Sequence, residues 1–465
     1  MFYMNAKDLK EKLFYKKENG CLILSDEELK KADAFCEGYK QFLDNGKTER
    51  ECVTEAVRQA EEKGYVPFVP GTKYAPGAKV YLNNRGKSLI LCRVGSEPLE
   101  KGAVIFASHI DSPRLDIKQV PLYEEMEQAF LKTHYYGGIK KYQWSVIPLA
   151  LHGTIIRKDL SRVTVAIGED DSDPVFCVTD LLPHLAQEQM KRPAAEIIKG
   201  EELNILIGSR PFRTDEASDR VKLNIASIIF EKYGITEADF LSAELEIVPA
   251  FKARDVGFDR SMIGAYGQDD RVCSYPAFKA LIDHDEIPAR TQLVLLADKE
   301  EIGSNGATGM KGAFFKYFVD DLGAPYGIAG HRILSASCCL SADVGAAIDP
   351  SFPETHDSRN AAYINYGPVI MKFTGSRGKG GSNDASAEFV GAVRKTLDDA
   401  GVIWQTSELG RVDLGGGGTV AAFIAELDVD TIDIGVPVLS MHAPFEITAK
   451  TDVYEMYKAF LAFIK

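Results

Sequence analysis

Short apolar runs that stop at turn residues and alternate with longer helical segments fill the second half of this 465-residue chain, and that alternation leaves few folds open. After Gly257 the segments Val272–Ile282, Gln292–Ala297, Ile333–Ala342, Asp384–Ala400, Val436–Met441 and Asp452–Phe463 take strand and helix patterns in turn. A crossover helix must bury its apolar stripe against the strands it joins. The expected product is an α/β fold: a mostly parallel sheet flanked by helices on both faces. The N-terminal region fits the same plan. Helices are predicted over Ala6–Tyr15, Asp26–Leu43 (with Ser25 as a start signal) and Glu51–Lys63, then strands over Val80–Leu82, Ser88–Arg93 and Ala103–Ala107.

From about Leu115 to Val256 the texture changes. Short segments such as Ser145–Leu149, Gly153–Ile156 and Val163–Ile167 alternate with turns, with helical stretches near Leu181–Met190 and Lys222–Tyr233. The expected organisation is a split α/β domain, residues 1–115 and 256–465, interrupted by a β-rich insert over 116–255.

Composition narrows the function classes. Asp and Glu number 68 against 54 Lys and Arg, a net charge of −14, which disfavours a nucleic-acid surface because phosphate neutralisation needs clustered cations. The eight cysteines form no CxxC pair, which argues for free thiols in a reducing compartment rather than a disulfide frame or a thiolate zinc site. The first twenty residues hold no apolar signal core, and no stretch reaches the length of a membrane span; a cytoplasmic protein is expected.

Several familiar motifs are missing. There is no GxSxG elbow and no HExxH helix, and Gly378-Lys379-Gly380 lacks the remainder of a phosphate-binding loop. What remains is a set of acids and histidines at the ends of strands. Val104–Ala107 runs into His109 and Asp111, Leu293–Ala297 into Asp298, Glu300 and Glu301, Cys338–Leu340 into Asp343, and Val436–Met441 into His442. Gly267-Gln268-Asp269-Asp270 precedes a helix starting near Arg271, where a carboxylate is favoured by the helix dipole. In an open parallel sheet, ligands bind beyond the carboxyl ends of the strands, so these clusters should converge on one crevice.

Imidazole and carboxylate without thiolate suit hard or borderline divalent cations. Two histidines with three or four carboxylates exceed what one ion needs but suit two with a shared carboxylate. Residues two apart on an extended chain share a side, so Asp111 could steady the His109 imidazole. Of the neighbours Glu300 and Glu301, one could bind metal while the other stays free as a base. Any one such residue read alone is more often a cap, a turn or a salt-bridge residue; the convergence carries the argument. His134, His152, His184, His284 and His331 lack such company and read as structural or surface residues, whereas His356 follows Asp343 closely enough to rim the same pocket. The run Gly415–Gly418, ending at Gly418 before Thr419, could bring backbone amides near a substrate.

Taken in order, SHIDSPRLD from Ser108, GQDDR from Gly267, DKEEIGS from Asp298, SADVGAA from Ser341 and SMHAPFE from Ser440 resemble the M18 metallo-aminopeptidases, the aspartyl aminopeptidase and vacuolar aminopeptidase I group. The resemblance spans essentially the whole chain. It implies a two-zinc exopeptidase core (cobalt or manganese being chemically acceptable) with an inserted oligomerisation domain, in a dodecamer built from dimers, acting on peptide substrates. By motif, His109, Asp269 and Asp343 would hold one ion and Glu301 with His442 the second, Asp269 bridging; Glu300 would be the general base and Asp111 would orient His109. An acidic N-terminal side chain would need a cation such as Arg377 or Lys379. Asp349 stands where the aspartyl-specific branch carries His, and its charge would oppose such a substrate, so a neutral or broad preference is equally compatible. The rival readings are a two-metal deacylase or carboxypeptidase on the same core, and a non-catalytic assembly protein retaining a structural metal.

Overall fold

The computed structural model of the chain describes residues 5–213, 215 and 218–464. Its central sheet has nine strands, in the order Val66–Pro67, Lys79–Asn84, Ser88–Arg93, Thr291–Ala297, Ala103–His109, Cys338–Ala342, Asp430–Gly435, Val369–Met371 and Gln405–Thr406. The four strands from Thr291–Ala297 to Asp430–Gly435 run parallel to one another. Antiparallel pairings enter where Ser88–Arg93 and Val369–Met371 join them and where Lys79–Asn84 pairs with Ser88–Arg93.

Alternation along each central strand explains why both faces are covered. Leu91, Val104, Phe106, Val294 and Leu296 point into one core, whereas Ile90, Cys92, Ile105, Leu293 and Leu295 point into the other. The first face packs against helices Asp26–Asn45, Gln268–Asp283 and Lys450–Ile464, the second against Phe314–Gly323. Each fully buried Leu or Phe contributes roughly 1.5–3 kcal/mol. Helix starts are locally encoded: Ser25 with Glu28 and Thr48 with Glu51 each close a capping box.

A second sheet of seven strands, all paired antiparallel, is built from Arg114–Glu125 through Ala243–Pro249 and has a core of its own. A third, five-stranded sheet joins Arg254–Val256, Met262–Ala265, Glu446–Ala449, Pro437–Leu439 and Gly345–Ala346.

Some local expectations are corrected. Leu181–Met190 is a series of turns rather than a helix, its Leu181, Leu182, Leu185 and Met190 all exposed, so the segment offers no buried stripe to hold a helix in place. Ser145–Leu149 and Gly153–Ile156 are not separate strands, because Leu149–Ile156 is continuous, with Gly153 giving the Glu244 carbonyl room to approach. Ile333–Ala342 divides into the helix Gly330–Leu334 and the strand Cys338–Ala342. Val436–Met441 is not a central strand; the chain leaves the central sheet after Gly435, and Pro437–Leu439 belongs to the five-stranded sheet. All eight cysteines are free thiols. Among the described residues, no helix is long and apolar enough to cross a membrane.

Candidate metal centre

Three neighbouring parallel strands deliver the first part of the site. Ala103–His109 carries His109 at its end, Thr291–Ala297 leads to Glu300 and Glu301, and Cys338–Ala342 leads to Asp343. Asp269 arrives at the start of Gln268–Asp283, where Asp269 and Asp270 have non-helical torsions and regular helix begins at Arg271. His442 comes from the turn after Pro437–Leu439, in the five-stranded sheet, so the crevice is closed from a second direction.

Asp269 lies at the middle of this group. Its Oδ1 is 3.3 Å from His109 Nε2 and its Oδ2 is 3.1 Å from His442 Nε2. On one side Asp343 Oδ1 stands 3.9 Å from His109 Nε2; on the other Glu301 Oε2 stands 3.5 Å from His442 Nε2. Two overlapping sets, His109 with Asp270 and Asp343, and His109 with Asp269 and Glu301, bring their donor atoms within 4.8 Å of one another. Asp270 was not singled out as a ligand by the sequence. One of its carboxylate oxygens faces the His109 backbone N–H at 3.4 Å, so it braces the strand end as well as facing the crevice.

Both imidazoles are oriented alike. His442 Nδ1 donates to the Gly138 carbonyl at 2.8 Å, and His109 Nδ1 meets the Asp111 carbonyl at 3.0 Å, which turns both Nε2 atoms towards the carboxylates. An Nε2 lone pair facing carboxylate oxygen is stable only with a proton or a cation between them. Burial alone would lower the His442 pKa, yet Asp269 and Glu301 raise it to about 10. His109 is likewise raised well above the usual range, by Asp111 and Asp269 against the effect of burial. Burial and neighbouring carboxylates push Glu301 and Asp343 upward, while contact with the two imidazoles holds Asp269 low despite its burial.

The donor set fits divalent cations. Asp269 Oδ1, Asp270 Oδ1 and Glu301 Oε1 are buried and lack hydrogen-bond partners, a costly arrangement for three carboxylates in one crevice unless positive charge compensates them. Glu300 is placed differently from Glu301. Its Oε2 is 4.0 Å from His109 Nε2, and burial raises its carboxyl to about 7, with Asp111 and Asp269 adding to the effect.

The turn that carries the two glutamates is held from below. Lys299 takes a left-handed backbone conformation, φ 66°, at the head of the single turn Glu300–Ile302. The two N–H groups freed there are accepted by Asp111, whose Oδ1 and Oδ2 lie 3.1 Å and 3.2 Å from the nitrogens of Glu300 and Glu301. The Asp111 carboxylate is also 3.4 Å from His109 Nδ1. Glu446 does equivalent work on the far side, accepting the His442 N–H at 2.7 Å and the Asp269 N–H at 3.1 Å. Glu446 and Gly138 were missed by sequence reasoning. Glu446 ends the quoted SMHAPFE string, but no spacing rule links Gly138 to a histidine 304 positions away.

The other residues singled out are not among these donors. Arg377 and Lys379 line a cavity of about 370 Å³ between the loops near Gly375 and Gly416; none of the donors above borders it, and Lys379 pairs with Asp384 at 3.0 Å. Gly418 lies beside the same loops, with space for an added Cβ to sit 3.5 Å from the Gly381 carbonyl. His356 is half-buried and bonds Thr355 Oγ1 at 2.9 Å. Asp349 instead borders a pocket of about 570 Å³ together with His442, Thr355, Gly138 and Lys140.

Comparison with known proteins follows this geometry. The family model described as aminopeptidase I zinc metalloprotease (M18) matches residues 42–464. A probable M18 family aminopeptidase 1 from Clostridium acetobutylicum is 51% identical over 447 residues, covering 94% of this chain and 96% of the relative. The crystal structure of an M18 family aminopeptidase from Thermotoga maritima superposes with a TM-score of 0.92 at 43% identity, covering 97% of this chain and 100% of that one. The fold extends to the S. cerevisiae mApe1 dodecamer, with a TM-score of 0.74 at 21% identity over 93% of this chain and 97% of that one.

Proposed function

Since the chain belongs to the M18 family of aminopeptidase I zinc metalloproteases, and is thus a metallo-aminopeptidase that hydrolyses peptide bonds, we propose that it works with two divalent cations that share Asp269. The family name points to zinc. His109 and Asp343 would complete one ion's ligands and His442 and Glu301 the other's. The observation that carries this reading is the division of Asp269 itself, one oxygen towards each imidazole. When bound, such a pair lowers the pKa of water towards neutrality and neutralises charge developing on a carbonyl oxygen.

Glu300 handles the proton. Standing 4.0 Å from His109 Nε2 and outside both proposed ligand sets, its carboxylate can accept a proton from the attacking water and return it to the departing amide nitrogen. Asp111 fixes the turn on which Glu300 and Glu301 stand, so base and ligand keep a constant separation. The pocket beside His442 would take part of the substrate. It is bordered by both Asp349 and Lys140, whose charges offset, whereas Arg377 and Lys379 line a different cavity, and this favours neutral or broad N-terminal residues over acidic ones.

The exposed apolar side chains Leu185, Phe230 and Leu241, all between the strands of the seven-stranded sheet, suit subunit contacts in a homo-oligomer, for which the S. cerevisiae dodecamer supplies the pattern. The testing experiment is Glu300→Gln. It should keep the wild-type metal content and lose activity by about two to four orders of magnitude. Near-normal turnover in that variant would remove Glu300 from this role.

A further inference from the structure

We infer that Tyr136, which belongs to the seven-stranded sheet, is a positioning residue for the Glu300–Glu301 turn. This deepens the two-cation reading and rests on Glu300 acting as the base. The strand Gln128–Tyr136 ends against the site, with Tyr136 paired in register with Arg114. The Tyr136 hydroxyl donates to Asp111 Oδ2 at 2.8 Å. That is the carboxylate whose two oxygens accept the N–H groups of Glu300 and Glu301. Tyr136 therefore acts two hydrogen bonds away from the base, through a side chain that touches both glutamates.

The hydroxyl is itself held in place. The Arg114 guanidinium stacks on the Tyr136 ring, 3.9 Å from its centre. Arg114 is fixed in turn by Asp116 at 2.8 Å, Glu246 at 3.3 Å and Glu49 at 3.4 Å. This buried ionic group lies outside the metal crevice and lets the ring neither tilt nor withdraw without breaking charge-assisted contacts. The next two residues continue the contact. A Cβ at Gly137 would sit 3.3 Å from Glu301 Oε2, and the Gly138 carbonyl receives His442 Nδ1. One strand end thus abuts the ligand Glu301, orients the ligand His442 and, through Asp111, sets the base.

The physical consequence follows from the softness of a carboxylate. Rotation about its terminal torsion is broad, so Asp111 is held only by what it bonds. Without the phenol, Oδ2 keeps the Glu301 N–H alone, and the carboxylate can swing towards His109 Nδ1, to which it is already close. The Glu300–Glu301 turn would then follow. Misplacement of a reacting group by about 1 Å can cost up to a hundredfold in rate.

Tyr136→Phe removes the hydroxyl and keeps the ring that Arg114 stacks on. On a free-amine peptide anilide, with zinc added back, kcat should fall about tenfold while KM stays within about twofold, and zinc content and melting temperature should match wild type. In an Asp111→Asn background the same Tyr136→Phe change should have no further effect on kcat. An unchanged kcat in Tyr136→Phe, or a full independent loss in the Asp111→Asn background, would overturn the inference. So would a loss explained by missing zinc or a lowered melting temperature, since that marks a merely structural tyrosine. Wild type and Glu300→Gln, assayed alongside, separate the two claims: if Glu300→Gln is inactive while Tyr136→Phe is normal, only the inference about Tyr136 fails.

Discussion

Asp269 Oδ2 stands 3.1 Å from His442 Nε2, although the two residues are 173 positions apart in sequence. Glu446 makes that meeting reproducible, because its one carboxylate accepts the backbone N–H groups of both residues. Glu446→Gln should therefore keep the fold but weaken metal retention, since an amide has only one acceptor for two N–H donors. Outer-sphere partners of this kind are typically worth about 10–100-fold in metal affinity, and titration with a competing chelator would read the change.

Metal removal should be visible in stability as well as in activity. The crevice holds several buried carboxylates with unpartnered oxygens, and a cation that binds the native state alone stabilises it by mass action, about 2.7 kcal/mol at one hundred times its Kd. Dialysis against a strong chelator should abolish turnover and lower the melting temperature, and restoring zinc should recover both. A melting temperature indifferent to chelation would count against the crevice as the binding place.

Gly435 tests the strand that supports Asp343. A Cβ there would fall 1.8 Å from the Asp343 carbonyl oxygen, so Gly435→Ala must push that strand end outward. The expected result is a protein that loses zinc more readily than wild type, with a loss of stability in the range of roughly 1–3 kcal/mol typical of overpacked sites. Circular dichroism melts together with zinc analysis would check it.

The pH dependence of stability should carry the signature of His152. Its ring lies between Glu51 Oε1 at 2.7 Å and Glu169 Oε1 at 3.0 Å, tying the seven-stranded sheet to the helix Glu49–Glu62. Burial would lower its pKa, but the two carboxylates raise it to about 9 from the ordinary 6.5. A raised folded-state pKa gives stability that is complete below pH 6.5 and is lost as pH climbs through 9. Melting temperature should therefore fall between pH 6.5 and 9 more steeply in wild type than in His152→Gln. Parallel curves for the two proteins would contradict the assignment.

Substrate preference follows from which pocket holds which charge. With Asp349 and Lys140 both bordering the pocket beside His442, peptides starting with Leu or Met should exceed those starting with Asp or Glu by about a few-fold in kcat/KM, since Lys140 offsets part of a repulsion worth on the order of 1 kcal/mol. Asp349→Asn should narrow that gap.

Much of this site was legible from residue types and their positions at strand ends, because parallel strands place their carboxyl ends side by side. His109, Glu300, Glu301 and Asp343 follow that rule. His442 reached the crevice for another reason. The central strand is Asp430–Gly435, where Asp433 is fully buried and bonds Thr419, so a core strand reads as polar and the apolar run after it carries the stronger strand pattern. Tyr136, Gly138 and Glu446 were illegible for a third reason: each acts by a hydrogen bond to a distant backbone or carboxylate, and periodicity carries no signal of such a bond.

The central claim is that Asp269 joins two ions, and counting them tests it most directly. Elemental analysis of zinc-reconstituted wild-type protein should give two zinc ions per chain, and Glu300→Gln should also give two while being inactive. Asp269→Asn, which cannot offer a charged oxygen to each imidazole, should retain fewer than two and lose activity. A wild-type value of one ion per chain, or an Asp269→Asn protein with both ions and normal turnover, would contradict the account.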